Sequence, residues 1–153
     1  MRLKNLDDKT LSKIQEMVEV TFAGRDKLYS AASHLDDEDR REICRELADH
    51  LAGHAAELQQ ILTATGNDPK GPLDVHGIVD ALLESIRSKS GDSGVLDAAE
   101  KYTHEVKEDF DQAIEKTPDP DAREVLRHHR NGVEFGERVL RHMERPKSDG
   151  TDR

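Results

Sequence analysis

The chain has 153 residues, of which 37% are charged and 3% aromatic, and 33 acidic side chains against 23 basic ones give it a formal charge of −10. That length suits one domain with its own core, and the acidic balance argues against nucleic acid or an anionic membrane as a partner. The single cysteine, Cys44, rules out an internal disulfide and points to a reducing, cytoplasmic setting; no apolar run reaches the ~18 residues of a membrane helix, and the start, MRLKNLDDKT, has no apolar segment after its basic residues.

A chain this polar folds only if its apolar residues gather on one side of each element. From Thr10 to about His34 they fall at Leu11, Ile14, Val18, Phe22, Leu28 and Tyr29, the three-and-four spacing of one helical stripe with no proline in it. Asp36 or Asp37 offers an N-cap for a second helix, whose stripe runs through Ile43, Leu47, Leu51, Ala55, Leu58 and Ile61/Leu62 until Gly66 and Asn67 stop it. Two helices of about 40 Å joined by so short a turn predict an antiparallel hairpin. Gly66 to Gly94 is too long for a turn and carries Val75, Ile78, Val79, Leu82, Leu83 and Ile86, which predicts a short connecting helix over about Asp74 to Ser88.

A second hairpin follows, with Val95, Ala99, Tyr102, Val106, Phe110, Ala113 and Ile114 on one helix and Val125, Leu126, His129, Val133, Gly136, Leu140 and Met143 on the other. Pro118 and Pro120 separate them, Pro120 standing where a helix start loses nothing by its missing N–H. The expectation is an all-α fold: an antiparallel four-helix bundle of ferritin-like topology, its two helical hairpins joined by a long crossover that holds a short helix. Residues 1–145 form this domain, and the polar stretch from Pro146 to Arg153 is expected to be a disordered tail.

Bundles hold metals in their cores, and the di-iron design needs Glu-x-x-His on two helices. That motif is absent, and the acidic pairs end in a second carboxylate instead: Glu16 with Glu19, Glu46 with Asp49, Glu105 with Glu108, Glu134 with Glu137. Histidines recur one turn from acids or from each other, in Glu46/His50, His50/His54, Glu100/His104 and Glu124/His128, while His54 and His129 fall on the apolar stripes. The candidate metal ligands are therefore His50, His54, His104 and His129 with Glu46, Glu105 and Glu134, a donor set suited to iron, manganese or zinc. The spacings His50 to His54, His104 to Glu108 and His129 to Glu134 also match those of a hemerythrin-like bundle, in a different order along the chain. Gly24, Gly53, Gly132 and Gly136 sit inside helices at a cost of about 1 kcal/mol each, which close helix approach, or room for a large neighbour or a small ligand, would offset. Arg25 is placed to pair with Glu46 or Asp49 across the first hairpin, and Cys44, among Ile43, Leu47 and Ala48, reads as a small buried hydrophobe.

Ala56-Glu57-Leu58 through Thr65-Gly66-Asn67-Asp68-Pro69, then Gly71 and His76, Leu96-Asp97-Ala98-Ala99-Glu100 and Phe110-Asp111-Gln112-Ala113-Ile114, together resemble the bacterial ferritin-like four-helix-bundle family of unknown function over about residues 6 to 144. Three departures stand out: no tryptophan follows His76, Phe110 stands where a tyrosine is usual, and the glutamate expected about a turn and a half before that aromatic is not clearly placed. The resemblance implies a ferritin-like fold and an uncharacterised, stress-related role; it transfers no catalytic residue.

There is no Gly-rich phosphate loop, no G-x-S-x-G and no aromatic row for stacking bases. The leading expectation is a non-enzymatic bundle that acts through self-association or a protein partner. The alternative is a metal-binding oxidoreductase or metal-storage protein with its site in the bundle core.

Overall fold

The computed structural model of the protein describes residues 6–66 and 76–144. They form four helices: α1 (Asp8–Ser33), α2 (Glu38–Ala64), α3 (His76–Lys116) and α4 (Pro120–Glu144), with no strand among the described residues. None of these helices is long and apolar enough to cross a membrane. The tail from Pro146 and the first two residues of the expected connecting helix, Asp74 and Val75, lie outside the described residues.

Helices α1, α2 and α4 start where a carboxylate meets their free N–H groups. Asp7 accepts from the Thr10 amide at 2.8 Å, Asp37 from Arg40 at 2.9 Å, and Asp119 from Ala122 at 2.8 Å, just before Pro120 opens α4. At the end of α2 the Thr65 hydroxyl donates to the Ile61 and Leu62 carbonyls, and Gly66 leaves the helix with φ of 83°.

Helix α3 is two helices in sequence. Gly91, at φ 62° and ψ −154°, breaks it into a connecting segment, 76–90, and a long segment, 92–116. A residue with a Cβ is strained in that conformation, so glycine supplies the corner. The expected connecting helix is thus present over residues 76–90, running about two residues past the Ser88 at which the sequence reading ended it. The Asp92 carboxylate accepts from the Asp36 and Asp37 amides at 2.8 and 2.9 Å, tying the corner to the α1–α2 turn.

The interior is filled by the predicted stripes: Ile14, Val18 and Leu28 of α1, Leu51, Leu58 and Leu62 of α2, Leu83, Val95 and Phe110 of α3, and Leu126, Val133 and Leu140 of α4 are all buried. Helix α1 presents a slightly different face from the one read in the sequence. Met17, Thr21, Gly24 and Ala31 are buried, while Tyr29 lies at the edge and donates its hydroxyl to Asp49 of α2. Asp49 being so engaged, the expected Arg25 pair with Glu46 or Asp49 does not form. The Arg25 guanidinium instead takes its neighbour Asp26 at 2.9 Å and covers the Phe22 ring at 4.7 Å, a place where it keeps its water. Cys44 is buried as expected, and burial pushes its thiol up to about 12.

Across the helix pairs, Tyr29 meets Asp49, and Lys27 covers the Tyr102 ring. Between α2 and α4, Gly136 faces Leu47 and Gly132 faces His54. Between α3 and α4, Glu100 meets Arg141, His104 meets Glu137 and Asp111 meets Arg130. Gly24 marks a close approach, since a Cβ there would stand 2.8 Å from Val106 and 3.3 Å from Leu51.

Candidate metal centre between α2 and α4

Helix α2 carries His50, His54 and Glu57 along one side, and α4 brings His128, His129 and Gly132 up to it. Successive turns of a helix stack residues three, four and seven apart, so the local sequence alone aligns each set. The His54 and His129 rings meet nearly edge-on, with centroids 4.9 Å apart and planes at 79°, and their Nδ1 atoms are 2.7 Å apart. One Nδ1 therefore donates and the other accepts. His129 is 2% exposed. Gly132 supplies the space: a Cβ at this position would stand 2.5 Å from Nε2 and 2.6 Å from Cε1 of His54. Room for a large neighbour, one of the two accounts offered for the mid-helix glycines, is the observed one here. Gly136 leaves ordinary contact distance to Leu47 at 3.6 Å, and Gly53 faces open space.

The far side of the His129 ring opens to a surface groove bordered by Gln60, Ile61, Glu124, Val125, Arg127 and Asn131. Its Nε2 lies 3.5 Å from the Glu57 carboxylate, and the His128 ring stands beside it with centroids 5.1 Å apart. One donor atom each from Glu57, His128 and His129 can be chosen so that all lie within 4.8 Å of one another. Two donors bound at ~2.0–2.1 Å to one tetrahedral ion sit about 3.4 Å apart, so the Glu57–His129 pair already has the required spacing. His128 and Glu57 are both exposed, which leaves each able to close on an ion by a side-chain rotation.

Electrostatics keep the imidazoles ready to coordinate. Burial, reinforced by His54 and His128, pushes His129 down to about 4. Burial also lowers His54; the Glu57 carboxylate opposes that, and His128 and His50 add to it. Both rings are neutral at neutral pH, and a neutral imidazole is the form that offers a lone pair to a metal.

The other candidates lie elsewhere. His50 is exposed, although it lines a narrow cleft beside His54 with Leu47, Thr103 and Gly136. His104 belongs to the α3–α4 seam, where its Nδ1 is 2.9 Å from Glu137 and its Nε2 3.4 Å from Glu108. Glu134 is held by Arg130 at 2.9 Å and Arg138 at 3.4 Å; Glu46 and Glu105 are exposed. Of the seven candidates, the structure brings together His54 and His129, and the hemerythrin-type spacings are dispersed over two helix seams.

Glu57 and His128 were not among those candidates. The sequence holds the pieces, His54 with Glu57 three residues on and the adjacent pair His128-His129, but not that the two face each other. A second acidic group, Asp97, Glu100 and Glu144, also has donor atoms within 4.8 Å; burial and then the Glu100 and Asp97 carboxylates raise Glu144 well above the usual carboxyl value.

No curated protein and no solved structure matches this sequence. A family model described as a domain of unknown function, DUF2383, matches residues 9–116, a span that takes in His54 and Glu57 but ends before α4. With well over half of its length covered by that match, the chain belongs to the DUF2383 family.

Proposed function

We propose that this chain is an antiparallel four-helix bundle of ferritin-like topology that binds one divalent transition-metal ion at Glu57, His128 and His129. The topology is supported by the helix contacts: along each of the seams α2–α4 and α3–α4, contact partners rise in number on one helix as they fall on the other. The Asp92 anchor at the α1–α2 turn supports a crossover that carries the chain back to the end where α2 begins, so that α2 and segment 92–116 run parallel. A reducing, cytoplasmic setting agrees with the single buried cysteine.

The observation that carries the metal reading is the meeting of Glu57, His128 and His129 around a buried neutral imidazole. Two imidazoles and a carboxylate favour zinc or iron(II) over manganese. Three protein donors leave further coordination positions facing the groove, the layout of a site able to take an additional small ligand. The test is elemental analysis of untagged protein purified without chelator. Close to one zinc or iron per chain is expected, with the metal lost in the Glu57→Gln, His129→Leu double variant. A folded wild-type protein that stays metal-free after incubation with either ion overturns the reading.

Self-association is a second reading, favoured by one observation. Ile78 and Leu82, one turn apart on the connecting segment, are 76% and 50% exposed. Light scattering on the eluting protein should find a dimer that Ile78→Ser with Leu82→Ser converts to monomer. A strict monomer at all concentrations removes this reading.

A further inference from the structure

His54 touches the proposed ion site only through His129. It is half-buried, and to hold it α4 carries a glycine in the middle of a helix, where alanine would be favoured by about 1 kcal/mol. The contact is specific, because a Cβ on residue 132 would overlap the His54 ring at 2.5 Å. The outcome of that space is one hydrogen bond, Nδ1 to Nδ1 at 2.7 Å.

A neutral imidazole carries one proton, so this bond links the tautomers of the two rings. Either His129 donates from Nδ1 and its Nε2 is bare, or His54 donates and the proton of His129 sits on Nε2. In the second arrangement the Nε2–H of His129 faces the groove and the Glu57 carboxylate, 3.5 Å away. In the first arrangement the N–H that lacks a protein partner is Nε2–H of His54, the less buried ring. A cation at Nε2 of His129 takes that nitrogen's lone pair, so binding it selects the first arrangement, with the proton on Nδ1.

We propose that His54 is the positioning residue of the centre: seated in the space left by Gly132, it accepts the Nδ1 proton of His129 and so presents the bare Nε2 of His129 to the cation. This rests on the metal reading for its purpose, though not for its geometry. The arrangement is that of a metal-binding imidazole whose second nitrogen donates to a fixed acceptor, which orients the ring and raises its basicity. Here the acceptor is another imidazole, and the usual carboxylate or carbonyl is absent from that contact. Glycine at 132 thereby becomes part of the centre without offering a ligand atom.

The experiment has two arms on the full chain. In the first, two-bond proton–nitrogen correlation spectra of zinc-loaded, nitrogen-15-labelled protein at pH 7.0 read the tautomers directly. His129 protonated on Nδ1, with no proton on Nε2, is expected, and His129 protonated on Nε2 overturns the proposal. In the second, zinc affinity is measured by competition with a chromophoric chelator for the wild type, His54→Leu, His54→Asn and Gly132→Ala. Loss of the acceptor in His54→Leu should weaken zinc roughly 10- to 100-fold, with partial recovery in His54→Asn, whose amide oxygen can accept. Gly132→Ala should weaken zinc comparably by displacing the ring. Circular dichroism checks that each variant is folded, and cobalt(II) absorption spectra report whether the bound ion's geometry has moved. Zinc bound equally by the wild type and a folded His54→Leu overturns the proposal while leaving the metal reading intact. A folded wild type that takes no zinc overturns the metal reading itself, an outcome distinct from equal binding by the wild type and His54→Leu.

Discussion

Helix α4 buries two ionisable side chains two turns apart, His129 against α2 and Glu137 against α3, each 2% exposed, and the protein treats them in opposite ways. Glu137 is surrounded: Arg141 lies 2.6 Å away, His104 2.9 Å and Lys107 3.1 Å. Burial alone would raise its carboxyl, but Lys107 and His104 outweigh burial and hold it below the usual value. His129 is kept neutral and is satisfied on one nitrogen only. A buried charge enclosed by opposite charges has little left to offer a ligand, whereas a buried donor atom facing a groove with one distant partner does. The first region reads as architecture, the second as a site.

The largest effect expected from this contrast is on stability. Glu137→Ala should cost about 3 kcal/mol, since it leaves Arg141, Lys107 and the His104 ring without their shared partner; the figure lies at the low end for broken buried pairs because His104 and Arg141 keep part of their water. In metal-free protein His129→Leu should change stability by no more than about 1 kcal/mol, because a neutral ring is exchanged for an apolar side chain of similar bulk. Urea denaturation of the two variants reads this directly, and equal losses would erase the distinction.

A smaller effect separates the regions by pH. His129 has its folded value near 4 and its ordinary value at 6.5. Above 6.5 neither state is protonated there; as pH falls toward 4 the unfolded chain takes up the proton first, and stability is lost over that window. The loss in metal-free protein should be on the order of 1 kcal/mol between pH 7.0 and 5.0, and absent from His129→Leu. Glu137, whose folded value is lowered, contributes stability that is lost only in more acidic solution, as pH falls from its ordinary 4.5 through the folded value. A urea midpoint for His129→Leu that falls as steeply as the wild type's between pH 7.0 and 5.0 would place the titrating group elsewhere.

The helices were legible because their signals are local. Asp37 before α2, Pro120 opening α4 and the stripe from Ile43 to Leu62 depend only on neighbours along the chain. The corner at Gly91 was not, since Gly91 and Gly94 lie three apart in one polar stretch and only the backbone shows which adopts positive φ. Much the same divides the site. His54 and His129 could be picked out because each sits on an apolar stripe. Glu57 and His128 could not, because both are exposed and their role depends on the register in which α4 passes α2. Gly132 announced a close neighbour, but which side chain it was remained hidden until two helices 75 residues apart in sequence were brought together.

Asp92 has a bearing on how the molecule assembles. Its carboxylate is the capping partner of two amides that lie 55 and 56 residues earlier, in the turn of a different hairpin. Each hairpin closes through contacts near in sequence and can form early, whereas this bond waits for a long loop to close. The amide protons of Asp36 and Asp37 thus sit in the first hairpin but are sheltered by the second. Their exchange with solvent would follow the undocking of the two halves, an opening distinct from the fraying of either one.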